Sequence, residues 1–115
     1  MPERGSVIRR RRRVGLGADH TVDEHFVVLS IGDLNALVPT WVVAPIEAPT
    51  AEYLSSPLGV RVGRAEHGGA HDAVIVTWAL AAMPSERFDP IPVGRLLEGT
   101  LDRVDEALRA VLGLD

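Results

Sequence analysis

Five consecutive arginines, Arg9 to Arg13, are the densest chemistry in the sequence. A guanidinium is a planar fork that pairs bidentately with phosphate or carboxylate and stacks on unpaired bases. The run therefore predicts an anionic partner: a phosphate backbone, an acidic protein segment, or the chain's own Asp19, Asp23 and Glu24. A second candidate is His67 and His71, four residues apart beside Asp72, a spacing that joins two metal ligands on a helix. Gly68 and Gly69 favour a turn there instead, and no third ligand is evident, so the segment reads as a polar connection with no metal. Tyr53 lies in a Pro/Ser/Ala-rich stretch expected to be an exposed loop, which makes it the candidate for stacking on a base. With no cysteine, disulfides, thiolate metal sites and a cysteine nucleophile are excluded.

The charge is polarised. Residues 1–13 carry six arginines against Glu3, a balance of +5, while the remainder carries six arginines against fifteen acids, a balance of −9. Every basic side chain is Arg, which codon bias alone would explain, but bias does not gather five of them side by side. At 115 residues and 46% hydrophobic content the chain is expected to be a single domain, residues 1–115, with a real core. No apolar run approaches the ~18 residues of a membrane span, and no secretion signal is evident, so a cytoplasmic protein without membrane contact is expected.

The elements that must position these residues follow from short apolar runs. Phe26–Ile31, Thr40–Ile46 and Ala73–Trp78 are rich in β-branched residues and bounded by turn formers, as buried strands are. Leu58–Val62 alternates like a half-exposed strand. The arginine run continues a strand from Ser6; since both of its faces cannot be buried, it must lie at an edge or project as a ribbon. Val14–Glu24 reads as a glycine-containing loop whose acids neutralise part of that ribbon. Asp33 is placed to N-cap one helical turn ended by Pro39, and Pro84–Phe88 to form another. The chain ends in an amphipathic helix, with Thr100 as expected N-cap, Gly113 as terminator, and Asp105 and Arg109 as an i,i+4 pair. Trp41, Trp78 and Phe88 are expected in the core or a dimer contact. Together these describe a mainly β fold, a small strongly bent barrel capped by a C-terminal helix.

In this order of elements the chain resembles the PemK/MazF type II toxins over nearly its whole length. The matching segments are Arg4-Gly5-Ser6-Val7, Val27-Val28-Leu29-Ser30 with Asn35 in the following turn, Val42-Val43-Ala44-Pro45-Ile46, Asp72-Ala73-Val74-Ile75-Val76, Gly94-Arg95-Leu96, and Val104-Asp105-Glu106-Ala107-Leu108. The resemblance implies an SH3-like barrel and metal-independent, cofactor-free cleavage of single-stranded mRNA. It also implies a homodimer neutralised by a cognate antitoxin, whose acidic tail the arginines would fit. The chain departs from the family where its cleavage residues belong. Glu24 and His25 stand at the family's Arg-Pro, Glu47 at its Thr, and small or apolar residues between Ala79 and Ala82 at its Gln and Arg. Cleavage through a 2′-hydroxyl needs a base, a cation and an acid. Arg11 or Arg13 would be the cation, His20 or His25 a proton carrier, and Glu47 the base. The candidate catalytic set is Arg13, His25 and Glu47, and the candidate RNA-binding set Arg9, Arg11, Arg13 and Tyr53. The alternative is a catalytically degenerate binding module in which Glu24 and Glu47 merely pair with arginines. A more distant one is a toxin that inhibits an enzyme such as gyrase.

Overall fold

The computed structural model describes residues 2–15 and 20–114. Strand β1 (Ser6–Val14) is followed by β2 (His20–Val28), α1 (Gly32–Leu37), β3 (Thr40–Glu47), α2 (Ala51–Ser55), β4 (Gly59–Val62) and α3 (Arg64–His67). Then come β5 (Ala73–Val76), β6 (Ala81–Pro84), β7 (Gly94–Arg95) and α4 (Glu98–Leu112). The strands form one curled antiparallel sheet in the order β4-β5-β3-β2-β1-β7. β6 joins it on β3. β3 is the hub: Thr40–Val43 pair with β6 and Ile46–Glu47 with β5. Pro45 sits at the switch between partners, where a residue without an N–H breaks no ladder bond.

The apolar runs are buried because successive side chains alternate between two packed faces. One face gathers Val7, Val27, Ala44, Ile46, Ile75 and Val104, with α4 laid across it. The other gathers Ile8, Phe26, Val28, Trp41, Val43 and Phe88; the Phe88 ring stacks on Trp41 and meets Phe26 edge-on. Asn35 is fully buried: Ser30 donates its hydroxyl to Asn35 Oδ1, while Asn35 Nδ2 donates to the Pro2 carbonyl at 3.1 Å, tying the N-terminus to the turn.

Several expectations need correction. β2 begins at His20, so Asp23 and Glu24 are strand residues, held there by the ladder to β1. The run from Leu29 to Ile31 leaves the strand, because the Leu29 and Ser30 N–H groups both turn to the Val42 carbonyl. Ile31, not Asp33, occupies the N-cap of α1. Residues 47–57 contain α2, whose first turn is capped by the Thr50 hydroxyl accepting from the Tyr53 N–H at 3.3 Å. Helix α4 starts at Glu98, one turn's edge before Thr100, because the Glu66 carboxylate supplies the cap by accepting from Leu97 N–H at 2.8 Å. Asp105 pairs with Arg4 rather than Arg109. Trp41 and Phe88 are core residues, whereas Trp78 leaves the sheet in a 3-10 turn after β5 and is exposed.

Candidate functional site at the base of the arginine ribbon

Register decides what each arginine meets. Arg9 opposes His25, Arg10 opposes Glu24, Arg11 opposes Asp23, and Arg12 opposes Val22. Directly opposed residues share a face, so Arg9, Arg11, Asp23 and His25 lie on one side of the ribbon and Arg10, Arg12 and Glu24 on the other. On the second side Glu24 is held by Arg10 at 3.0 Å and Arg12 at 2.9 Å, and the Arg10 guanidinium lies 5.3 Å over the Phe26 ring. On the first side Arg11 pairs with Asp23 at 3.0 Å, and Arg9 with Asp89 at 2.8 Å and Asp23 at 3.8 Å. The hydrogen bond from Arg11 holds the Asp23 carboxyl below its usual range, and that from Arg9 does the same to Asp89. Four described arginines thus face three carboxylates, so most of the ribbon's positive charge is balanced internally. Arg13 and His20 lie on the strands, but their side chains, and Asp19 altogether, fall outside the described residues.

Where the ribbon meets the sheet, an open cleft of ≈ 540 Å³ is lined by Asp23, His25, Glu47, His67, His71 and Asp72 among others. β2 brings His25 there opposite Ile46, and β3 ends in Glu47. Glu47 is exposed and makes no ion pair or side-chain hydrogen bond among the described residues. His67 is buried on the last turn of α3, not in a polar connection. Its Nδ1 accepts from the Gly69 N–H at 3.2 Å, which leaves Nε2 as the protonated nitrogen facing the His71 carbonyl at 2.6 Å. Both nitrogens are therefore committed to the backbone, and His67 serves as a wall against His25, the rings 6.0 Å apart and edge-on. Burial first, and then the neighbouring His67, pull the His25 pKa below the usual imidazole value, against the opposing pull of Asp23.

α3 is itself fixed by Glu66, which sequence reasoning passed over. Its Oε2 accepts from the Gly63 N–H at 3.1 Å while Oε1 caps α4. Burial works to raise its pKa, but the bonds from Leu97, Thr100 and Gly63, with the field of Arg103, hold it below the usual range. Gly94 of β7 runs so close that a Cβ there would lie 2.0 Å from the Glu66 carbonyl. Of the expected site residues, His25 and Glu47 meet in the cleft, and Arg9 and Arg11 adjoin it through Asp23. Tyr53 does not line the cleft; it is half-buried on α2 with its ring 6.2 Å from Trp78. Among the described residues no group of three or more His, Asp or Glu is placed to hold a metal ion.

Solved structures share this architecture end to end. An endoribonuclease in complex with its cognate antitoxin, from a mycobacterial species, superposes with a TM-score of 0.77 at 17% identity, covering 100% of this chain and 98% of the other. A MazE–MazF complex from Deinococcus radiodurans gives 0.75 at 18% identity, covering 99% and 98%. The Mycobacterium tuberculosis toxin MazF-mt6 gives 0.72 at 17% identity, covering 92% and 98%. The chain has the MazF-type toxin fold. No family model and no curated protein matches the sequence, so the likeness lies in the fold. The MazF-type fold and its closing helix are those that the resemblance implied, and β2, the end of β3, α3 and the turn leading into β5 form the His25–Glu47 cleft.

Proposed function

We propose that this chain is the toxin of a toxin–antitoxin pair, a homodimer that binds and cleaves single-stranded RNA at the His25–Glu47 cleft. What carries the proposal is that an uncommitted carboxylate and an imidazole of lowered pKa line one cleft beside an arginine-bearing strand. The fold is shared with an endoribonuclease and with a toxin held by its antitoxin, which supports the reading. In the proposed reaction Glu47 removes the 2′-hydroxyl proton as that oxygen attacks phosphorus. The bond to the 5′-oxygen breaks, His25 in its protonated form gives that oxygen a proton, and a 2′,3′-cyclic phosphate and a 5′-hydroxyl remain. Arg9 and Arg11, beyond Asp23, place positive charge beside the cleft and favour the approach of the anionic strand. Arg13 keeps its proposed role as a further cation on the same strand.

One observation favours a second reading. Glu24, at the family's Arg position, is locked between Arg10 and Arg12, as a binding module without chemistry would allow. Replacing Glu47 separates the two. Glu47→Gln abolishes cleavage and leaves RNA binding equal or tighter if Glu47 is the base; unchanged cleavage removes it from the chemistry. Glu47→Thr is a cleaner reversion than any that includes Glu24→Arg, which would set a third cation against Arg10 and Arg12.

A further inference from the structure

The Arg9 and Arg11 side of the ribbon opens into a second depression of ≈ 280 Å³, walled by Arg9, Arg11, Arg87 and Asp89 and floored by Phe88. Arg87 comes from the 3-10 turn after β6, so two distant parts of the chain converge here. Asp89 braces Arg9: one oxygen takes the Arg9 guanidinium at 2.8 Å and the other the Ile91 N–H at 3.1 Å. Arg11 gives Asp23 only its Nε, at 3.0 Å. Its terminal nitrogens, and the whole Arg87 guanidinium, make no side-chain hydrogen bond or ion pair among the described residues. Three cations thus meet two carboxylates, with the uncommitted donors on two different elements.

We infer that this depression is a phosphate subsite formed by Arg11 and Arg87, with Arg9 behind them. It takes one phosphodiester of the single strand whose reacting phosphate lies in the His25–Glu47 cleft. The identity of that ligand rests on the RNA reading; the anion-binding chemistry of the site does not. A carboxylate offers two coplanar oxygens that a single fork saturates, whereas a phosphodiester presents tetrahedral oxygens to forks from two directions. Asp23 links the two places, since it lines the cleft and holds Arg11 Nε. A phosphate in the subsite competes with Asp23 for Arg11, so Asp23 tunes the affinity. Arg10 and Arg12, held by Glu24 on the opposite face, take no part.

The test measures binding of a labelled 2′-O-methyl single-stranded RNA, which lacks the nucleophilic hydroxyl, across a series of salt concentrations. Arg87→Gln and Arg11→Gln should each weaken binding and lower the log–log salt slope by about one. Asp23→Asn should tighten binding, and Arg12→Gln should leave affinity and slope as in the wild type. Wild-type binding by Arg87→Gln, or an equal loss from Arg12→Gln, overturns the subsite while leaving the RNA reading intact. If the wild type does not bind the RNA, that reading fails, and inorganic phosphate titrated against isotope-labelled protein decides the subsite separately. Shifts confined to the Nε–H resonances of Arg11 and Arg87 uphold it, and their absence overturns it.

Discussion

His25 is where a change of environment most alters chemistry. A half-buried imidazole edge-on to a second histidine resists protonation, so its folded pKa lies below the ordinary value of ~6.5. As the general acid it is active when protonated, and a lowered pKa means that this form is lost earlier as pH rises. The kcat/KM profile for RNA cleavage should therefore be bell-shaped, with its descending limb below ~6.5. A descending limb at or above the ordinary imidazole value would remove His25 from that role. The same shift bears on stability with a definite sign. The unfolded chain binds this proton more readily, so the contribution of neutral His25 is present above its unfolded pKa and is lost as pH falls toward the folded one. Little of this was legible in the sequence. His25 was visible as a departure from a family pattern, but its neighbour His67 is 42 residues away in sequence and meets it only through the fold. The glycines after His67 suggest a polar turn, whereas that turn folds back to bond both ring nitrogens.

At the scale of elements, short β-branched runs are legible because their burial needs no special partner. The expected runs Thr40–Ile46 and Ala73–Trp78 are strands over Thr40–Glu47 and Ala73–Val76, the second ending early where Thr77 enters a 3-10 turn. Segments decided by distant partners were not. Thr21 to Glu24 is polar enough to read as loop, yet β1 pairs with it along its length and its acids meet the arginines. The start of α4 was misplaced for the same reason, since its cap, Glu66, lies 31 residues upstream of Leu97. That carboxylate joins α3 to α4, and Glu66→Ala strands the Leu97 and Gly63 N–H groups. We expect a loss of roughly 1.5–3 kcal/mol, the range for hydrogen bonds to a charged group. Urea denaturation at neutral pH measures it; a loss near zero would mean that water replaces the carboxylate freely. Because the folded pKa of Glu66 is lowered, its contribution is present above the unfolded pKa and is lost as pH falls through the folded one.

For the whole molecule, two packed faces of one curled sheet leave the functional groups at its margin, where ribbon, cleft and arginine depression adjoin. No described helix is long and apolar enough to cross a membrane. Ile31, Leu34, Leu37 and Val38, in and beside α1, are exposed together, which supports the proposed homodimer. Light scattering at micromolar concentration should return a dimer, and a monomer there would contradict the proposed homodimer. The most direct test of the central proposal is cleavage of a single-stranded RNA in the presence of a chelator by the wild type and by Glu47→Gln. The wild type should cut, leaving 2′,3′-cyclic phosphate ends, and Glu47→Gln should lose ~10²–10⁴ in rate, the usual cost of removing a positioned base, while still binding RNA. A wild type that does not cut, or a Glu47→Gln variant that cuts as fast, would contradict it.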